Sequence, residues 1–275
     1  MQGCGPYSNV IDTSPRWRFF AKRALDELIP NQRYGNVDRQ VTLITGASRG
    51  IGRQVAVDCA REGHPVVINF ARSHDAAEEV VASIVNAGGQ AIAVQGDVSV
   101  EADARGLISA AVDQYGRLDC VINNAGVGEK IPLESLTSDA FDQVLKLNLL
   151  SAFMVSQAAI PRMMKNGGRL IFMSSGAART GGIISAAYAA SKAGMEGLMH
   201  YYATYLREHR ITANAIAPSL IATDMINRAA HQSDKSLPLG RFGRPDEIWP
   251  AVRMIMETEY LTGQTIHIDA GRYMT

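Results

Sequence analysis

The chain reads as an α/β protein: a doubly wound parallel sheet of about seven strands with helices on both faces, in one domain over residues 40–275. Three observations predict this. Short apolar runs alternate strictly with longer amphipathic stretches from residue 40 onward. The short runs are nearly continuous in apolar residues, as strands buried on both faces must be. A glycine-rich turn directly follows the first of them and opens a helix.

Taken in order, the predicted strands are Val41-Thr42-Leu43-Ile44, Pro65-Val66-Val67-Ile68-Asn69, Ala91-Ile92-Ala93-Val94, Cys120-Val121-Ile122, Leu170-Ile171-Phe172-Met173, Thr212-Ala213-Asn214-Ala215-Ile216 and Thr265-Ile266-His267-Ile268. Amphipathic spacing predicts helices over 51–62, 75–87, 101–115, 139–164 and 186–209. No low-complexity linker interrupts the region. Residues 1–39 stand outside the pattern as an N-terminal extension. There Trp17, Phe20, Ala21, Ala24, Leu25 and Leu28 follow helical spacing, with Arg16, Arg18, Lys22 and Arg23 elsewhere on the wheel. An amphipathic helix packing on its own domain or on a neighbouring subunit is expected. Asp26 and Glu27 argue against a targeting or membrane-surface helix.

Bulk properties narrow the partners. Basic and acidic residues balance at 27 each, so no field draws nucleic acid or a membrane to the whole surface. No apolar run reaches the ~18 residues of a membrane span. Cys4, Cys59 and Cys120 are scattered and odd in number, and the last two lie in apolar segments, as buried thiols of a reducing compartment would. The first 30 residues lack a signal-peptide core. A cytoplasmic protein is expected. The six histidines show no metal-ligand spacing.

Thr45-Gly46-Ala47-Ser48-Arg49-Gly50-Ile51-Gly52 occupies the strand-to-helix turn. Glycines there let the backbone approach a pyrophosphate, while the helix N-terminus supplies N–H donors and positive dipole. This is the Rossmann-type arrangement of a dinucleotide site. An NAD site places an acid at the tip of the second strand, about 20 residues on. Here that tip reads Asn69-Phe70-Ala71-Arg72-Ser73, and a second guanidinium, Arg49, lies in the turn. Two guanidiniums suit a 2′-phosphate dianion, which points to NADP(H) over NAD(H).

Tyr188 and Lys192 stand four residues apart on a predicted helix and so project from one face. An ammonium beside a phenol favours the phenolate and moves its pKa of ~10 toward working range. Such a tyrosine is a general acid/base. Ser175 lies thirteen residues upstream at the C-terminal end of a strand, the end that forms the ligand crevice of an open α/β sheet. Asn148 is an amide in an apolar helix, and a buried amide requires partners.

With these residues assembled, the chain resembles the short-chain dehydrogenase/reductase family over residues 40–275. The matching motifs are the Thr45–Gly52 turn, Asp97-Val98, Asn123-Asn124-Ala125-Gly126, Asn148, Ser175, Tyr188 and Lys192. The resemblance implies a catalytic set of Asn148, Ser175, Tyr188 and Lys192. It implies a cofactor set of Gly46, Ser48, Arg49, Gly50, Ile51, Gly52, Arg72, Asp97, Val98, Asn124, Ala125, Gly126, Tyr188, Lys192, Pro218, Ile221 and Thr223. Hydride would pass from NADPH to a ketone carbon while Tyr188 protonates the oxygen that Ser175 holds. Lys192 would tune Tyr188 and bind the nicotinamide ribose, and Asn148 would help hold a water that relays protons to Lys192.

Within the family the resemblance is to 3-oxoacyl-[acyl-carrier-protein] reductases, carried by Asn69–Ser73, Ala87–Ala91, Thr223-Asp224-Met225, Gly240–Pro245 and Leu261–Thr265. It implies an acyl-thioester substrate and acyl carrier protein as a partner. Another ketone, a sugar or a secondary alcohol is the alternative substrate, and a non-catalytic NADP-binding scaffold a third reading. Asn166 and His209 stand where that branch has carrier-docking arginines, with Lys165 and Arg210 adjoining. Ser219 follows Pro218 where a glycine is usual, and the Thr223–Arg241 segment over the substrate is shortened. Apolar positions on more than one face of the two long helices, including Leu145, Leu149, Phe153 and Met154 on the first and Leu198, Tyr201, Tyr202 and Tyr205 on the second, match the family's subunit contacts and imply a homo-oligomer, commonly a tetramer.

Overall fold

A computed structural model describes residues 39–224 and 239–273. The amphipathic helix expected within residues 1–39 and most of the segment over the substrate lie outside the described residues.

Seven parallel strands form one sheet in the order β3-β2-β1-β4-β5-β6-β7. They are β1 (Thr42–Ile44), β2 (Val66–Phe70), β3 (Ala91–Gln95), β4 (Cys120–Asn123), β5 (Gly168–Met173), β6 (Ile211–Pro218) and β7 (Thr265–Ile268). The helices are α1 (Gly50–Arg61), α2 (His74–Asn86), α3 (Glu101–Tyr115), α4 (Ser138–Leu145), α5 (Ser151–Met163), α6 (Ala177–Thr180), α7 (Ala186–Tyr205) and α8 (Trp249–Glu257). The chain builds outward from β1 to β3, then returns to lay β4 on the other side of β1. That reversal opens a crevice beyond the C-terminal ends of β1 and β4.

Every residue of β1, β2, β4, β5 and β6 is buried, which accounts for their continuous apolar runs. Two cores result, one on each face. Leu107, Val155, Met163, Met195 and Met199 from α3, α5 and α7 meet Leu43, Val121, Leu170 and Phe172 on one side. Val55, Val80, Ile84, Val252 and Ile255 from α1, α2 and α8 meet Ile44, Ile68, Ile122 and Ile171 on the other.

The predicted strands match the observed ones to within a residue or two at each end, β7 without change. The helices differ more. The stretch expected as one helix over 139–164 is α4 and α5 joined by a π-helical turn, Lys146–Leu150. Together Ser138–Met163 is long and apolar enough to match a membrane span by length and composition, its most apolar 18-residue window having a mean hydropathy of 1.3, although no uninterrupted apolar run marks it in the sequence. Its apolar side chains divide between the core, through Val155, Ala159 and Met163, and an outer groove. The second long helix stops at Tyr205, and Arg207–His209 forms a 3₁₀ turn closed by Arg210 at φ 56°. Helix α6, a single turn, lacks a sequence signal of its own, whereas α8 was missed although Pro250 near its start and the spacing of Trp249, Val252, Ile255 and Met256 mark it.

The groove lies between α4–α5 and α7. It encloses about 740 Å³ and is lined by Leu145, Leu149, Leu150, Phe153, Gly194 and Leu198 among others. Leu150, Phe153, Tyr201 and Tyr205 are exposed around it. Tyr202 is not: it is buried in the core, stacks on Phe172 with ring centroids 6.1 Å apart, and receives a hydrogen bond from Gln157. Tyr202 marks the core face of α7, and Tyr201 and Tyr205 its outer one.

Candidate active site

The glycine turn and the end of β4 interlock. Thr45 Oγ1 accepts from the backbone N–H of Asn124 at 3.0 Å and of Ala125 at 2.9 Å. The Asn124 side chain donates to the carbonyls of Thr45 and Gly46 at 2.8 and 3.1 Å. A Cβ at Gly46, whose φ is +63°, would lie 2.9 Å from Ala125 Cα, and one at Gly52 would lie 2.5 Å from Asn124 Nδ2. Side chains larger than hydrogen therefore cannot occupy either position without displacing backbone. Gly50, at φ +58°, faces Thr223 Cγ2 at 3.7 Å for such a Cβ, which brings the segment after β6 over the turn. Ser48 and Ile221 are buried, Ile51 packs partly buried against the core, and Arg49 and Arg72 are exposed at the turn and at the tip of β2.

Asn69 fixes this crevice from below. Its Oδ1 accepts from Gly46 N at 3.1 Å and its Nδ2 donates to Gly96 O at 2.9 Å, tying the turn to the end of β3. Asp97 follows at once. Hydrogen bonds from the Ser99 side chain and backbone hold its carboxyl below the usual range, with smaller pulls from Lys146 and Arg72. The Val98 side chain belongs to the core, so any contact it makes outside the core is through its main chain.

The second half of the site gathers around α7. Ser185 caps that helix, its hydroxyl accepting from Tyr188 N at 3.2 Å, which sets Tyr188 in the first turn. Tyr188 is buried against Ala177 and Ile184, and the neighbouring Ser175 hydroxyl favours its phenolate. Ser175 Oγ also accepts from Ala177 N at 3.2 Å. The Lys192 ammonium lies 5.7 Å over the Tyr188 ring and donates to Met173 O at 2.7 Å. Burial pushes its pKa down to about 8. Burial also pushes the Tyr188 phenol up, opposed by the Ser175 hydrogen bond. The sequence reading expected Lys192 to draw Tyr188 downward. The direction is reversed because the phenol is enclosed in an apolar pocket.

Asn148 occupies the π turn and is fully buried. Its Oδ1 accepts from Val127 N at 2.7 Å, and its Nδ2 donates to Val127 O and to Ser191 Oγ, each at 3.0 Å. Ser191 Oγ in turn donates to Tyr188 O at 2.7 Å. A Cβ at Gly126 would stand 3.0 Å from Asn148 Oδ1 and 3.7 Å from Lys192 Nζ, so the end of β4 meets the Tyr188 helix here. Beyond β6, Pro218 O accepts from Gly176 N at 3.2 Å, and Ser219 N donates to Ile268 O at 3.0 Å. The constraint expected from Ser219 is taken up one residue later: Leu220 adopts φ +51°, a conformation that L side chains adopt at a cost and that marks strain beside a functional cleft.

The two halves thus share one crevice, with the glycine turn and α1 N-terminus on one side and Ser175, Tyr188 and Lys192 on the other. The family model of the short chain dehydrogenases matches residues 40–234. The chain belongs to the short-chain dehydrogenase family. It is accordingly an oxidoreductase acting on the CH–OH/C=O pair. A 3-oxoacyl-[acyl-carrier-protein] reductase of Synechocystis sp. is 39% identical over 240 residues, covering 86% of this chain and 97% of the relative. The corresponding FabG of Staphylococcus aureus is 37% identical over 239 residues, covering 84% and 97%. Among solved structures, a 7 alpha-hydroxysteroid dehydrogenase complexed with NADH and 7-oxo glycochenodeoxycholic acid superposes with a TM-score of 0.81 at 32% identity, over 86% of this chain and 95% of that one. A short-chain type dehydrogenase/reductase from Mycobacterium marinum gives 0.82 at 29% identity, over 87% and 98%.

Sequence reasoning missed several supports of this dehydrogenase site. Nothing in the sequence marks Asn69, the last residue of a predicted strand, as the side chain that holds the glycine turn. Ser191, between Tyr188 and Lys192, carries Asn148. The carbonyl of Met173 has no side-chain signature at all. Glu196, on the same stripe of α7 as Tyr188 and Lys192, was the one with a legible spacing.

Proposed function

We propose that this dehydrogenase is an NADPH-dependent reductase of 3-oxoacyl thioesters. The observation that carries the reading is the convergence of the Ser175 hydroxyl, the Tyr188 phenol and the Lys192 ammonium at the C-terminal end of β5, across one crevice from the glycine turn. The names of the 37–39% identical relatives supply the substrate class.

A nicotinamide cofactor fits the residues present. Gly46, Gly50 and Gly52 keep the turn free of side chains, and the first turn of α1 contains no acid to repel a pyrophosphate. Ser48, Arg49, Ile51, Asn124, Ala125 and Gly126 would line its phosphates and nicotinamide half, Asp97 and Val98 its adenine, and Pro218, Ile221 and Thr223 its far side. When bound, NADPH supplies the hydride. The chain's own groups do the rest. Ser175 donates a hydrogen bond to the ketone oxygen and holds it against Tyr188. Tyr188 gives its proton to that oxygen as negative charge develops. The raised pKa of Tyr188 keeps it protonated at neutral pH, the form a reductase needs. Lys192, still largely cationic at pH 7, stabilises the phenolate that remains and would hold the cofactor's ribose. Asn148 holds the Gly126–Val127 turn against Lys192.

Arg49 and Arg72 support NADP(H) as that cofactor, since the tip of β2 presents a guanidinium where an acid would disfavour a 2′-phosphate. Arg72→Ala should raise the KM for NADPH about 10-fold while leaving that for NADH within about twofold. Equal NADH and NADPH kinetics in the unaltered chain would remove this assignment.

Homo-oligomerisation through the α4–α5/α7 groove is part of the same reading. Lys165 and Arg210 sit at the N-terminal ends of β5 and β6, the opposite end of the sheet from Ser175. The buried, unpaired thiols of Cys59 and Cys120 accord with a cytoplasmic setting.

The superposition on a steroid dehydrogenase favours a second substrate class, a cyclic ketone or secondary alcohol. NADPH oxidation measured against an acetoacetyl thioester and a panel of simple and cyclic ketones decides between them. Preference for the thioester supports the first reading. Consumption with no ketone, despite tight NADPH binding, would overturn both.

A further inference from the structure

The reductase reading gives roles to Tyr188, Lys192, Ser175 and Asn148 and leaves a carboxylate beside them unused. Glu196 lies one turn beyond Lys192 on α7, so that Tyr188, Lys192 and Glu196, spaced by four, share one stripe. Its side chain is only 8% exposed. It accepts from Ser174 Oγ at 2.8 Å and from Arg179 Nε at 3.4 Å.

Those two donors flank Ser175. Ser174 precedes it directly at the end of β5, and Arg179 follows on the single turn of α6. Ser174 Oγ also approaches the Lys192 carbonyl, at 3.5 Å, and the residue before it, Met173, presents the carbonyl that receives the Lys192 ammonium. The helix that carries Tyr188 and Lys192 therefore grips the β5–α6 connection on both sides of the hydroxyl that must meet Tyr188. Without that grip the connection has reason to shift, because Gly176 precedes α6 and Gly181, at φ +77°, ends it. A buried acid that loses water is retained only where donors compensate it, and here both donors belong to this one loop.

We propose that Glu196 is a positioning residue of the reductase: through Ser174 and Arg179 it fixes Ser175 and the Met173 carbonyl relative to Tyr188 and Lys192. The inference rests on the assignment of those groups to the reaction. A displacement of the order of 1 Å between groups that must share one substrate oxygen costs about 10²-fold in rate.

The test is NADPH-dependent reduction of an acetoacetyl thioester by the full-length protein, with the reverse oxidation followed across pH. Glu196→Ala should lower kcat about 10- to 100-fold with the KM for NADPH changed by less than about threefold. In the oxidation direction, the pH at which the rate rises with Tyr188 ionisation should move upward, because the Ser175 hydrogen bond that favours the phenolate is weakened. Glu196→Gln keeps an oxygen for Ser174 and should recover most of the loss. Arg179→Ala, at a half-exposed position that tolerates truncation, should lower kcat several-fold with the same upward movement. An unmoved pH profile together with unchanged kcat per folded molecule in Arg179→Ala overturns the proposal even if Glu196→Ala fails to fold. A loss in Glu196→Ala that follows only a lowered melting temperature overturns it too. An unaltered protein that reduces no ketone sinks the reductase reading and this inference with it. An active protein insensitive to these changes sinks the inference alone.

Discussion

Tyr188 and Lys192 set the chemistry at the scale of single residues, and burial sets their protonation. Enclosure raises the pKa of the phenol and lowers that of the ammonium, so both neutral forms gain. Tyr188→Phe removes the proton donor but little volume. Turnover should fall by at least about 10²-fold while NADPH still binds, as fluorescence titration would report; undiminished turnover would contradict the assignment. Lys192 makes a signed pH prediction. Its pKa is about 8 in the folded chain against an ordinary 10.5. Between those values the unfolded chain holds a proton that the folded chain has lost, so this residue's contribution to stability rises with pH there. The working cation is lost over the same climb. At subsaturating NADPH, kcat/KM should therefore decline as pH passes about 8, while wild type gains stability relative to Lys192→Met in urea unfolding. A rate profile flat to pH 10 would speak against a titrating Lys192.

At the scale of elements, the π turn between α4 and α5 is the decisive piece. An extra residue in one helical turn points Asn148 inward, where three hydrogen bonds secure the Val127 backbone and the Ser191 hydroxyl. Replacing it with an apolar residue takes the partner from the Val127 N–H and C=O and leaves the Ser191 hydroxyl, fully buried, without its donor. Asn148→Leu should destabilise the fold by about 1–3 kcal/mol in chemical denaturation and depress kcat more than Asn148→Asp. Equal stability and activity in both variants would show that the turn holds without the amide. The helix around it was legible in its periodicity, and the turn was not. Apolar spacing registers which face is buried, whereas one added residue alters the phase too little to stand out beside the two-sided burial of this stretch.

For the whole molecule, the outstanding surface feature is the groove between α4–α5 and α7. Apolar side chains at Leu150 and Phe153 remain 43% and 40% exposed there, beside Tyr201 and Tyr205. Burial of that face between two copies would remove them from water. Phe153→Asp should shift the protein toward monomer in light scattering at micromolar concentration while the circular dichroism of the fold persists. A wild-type monomer under those conditions would overturn the oligomer.

What the sequence by itself determined is the part written in local chemistry. The alternation of apolar runs and amphipathic stretches required a parallel sheet. The glycine turn after β1, the tyrosine and lysine one helical turn apart, and a serine at a strand end required residue types that few other roles explain. The tertiary structure alone decided how these distant pieces support one another. Asn69 anchors Gly46 from the neighbouring strand, Met173 lends a carbonyl to Lys192, Tyr202 turns into the core, and Glu196 reaches Ser174 and Arg179. Each is a contact between segments far apart in the chain. Their partners are backbone groups or ordinary polar side chains that carry no pattern until the sheet order brings them within hydrogen-bonding distance.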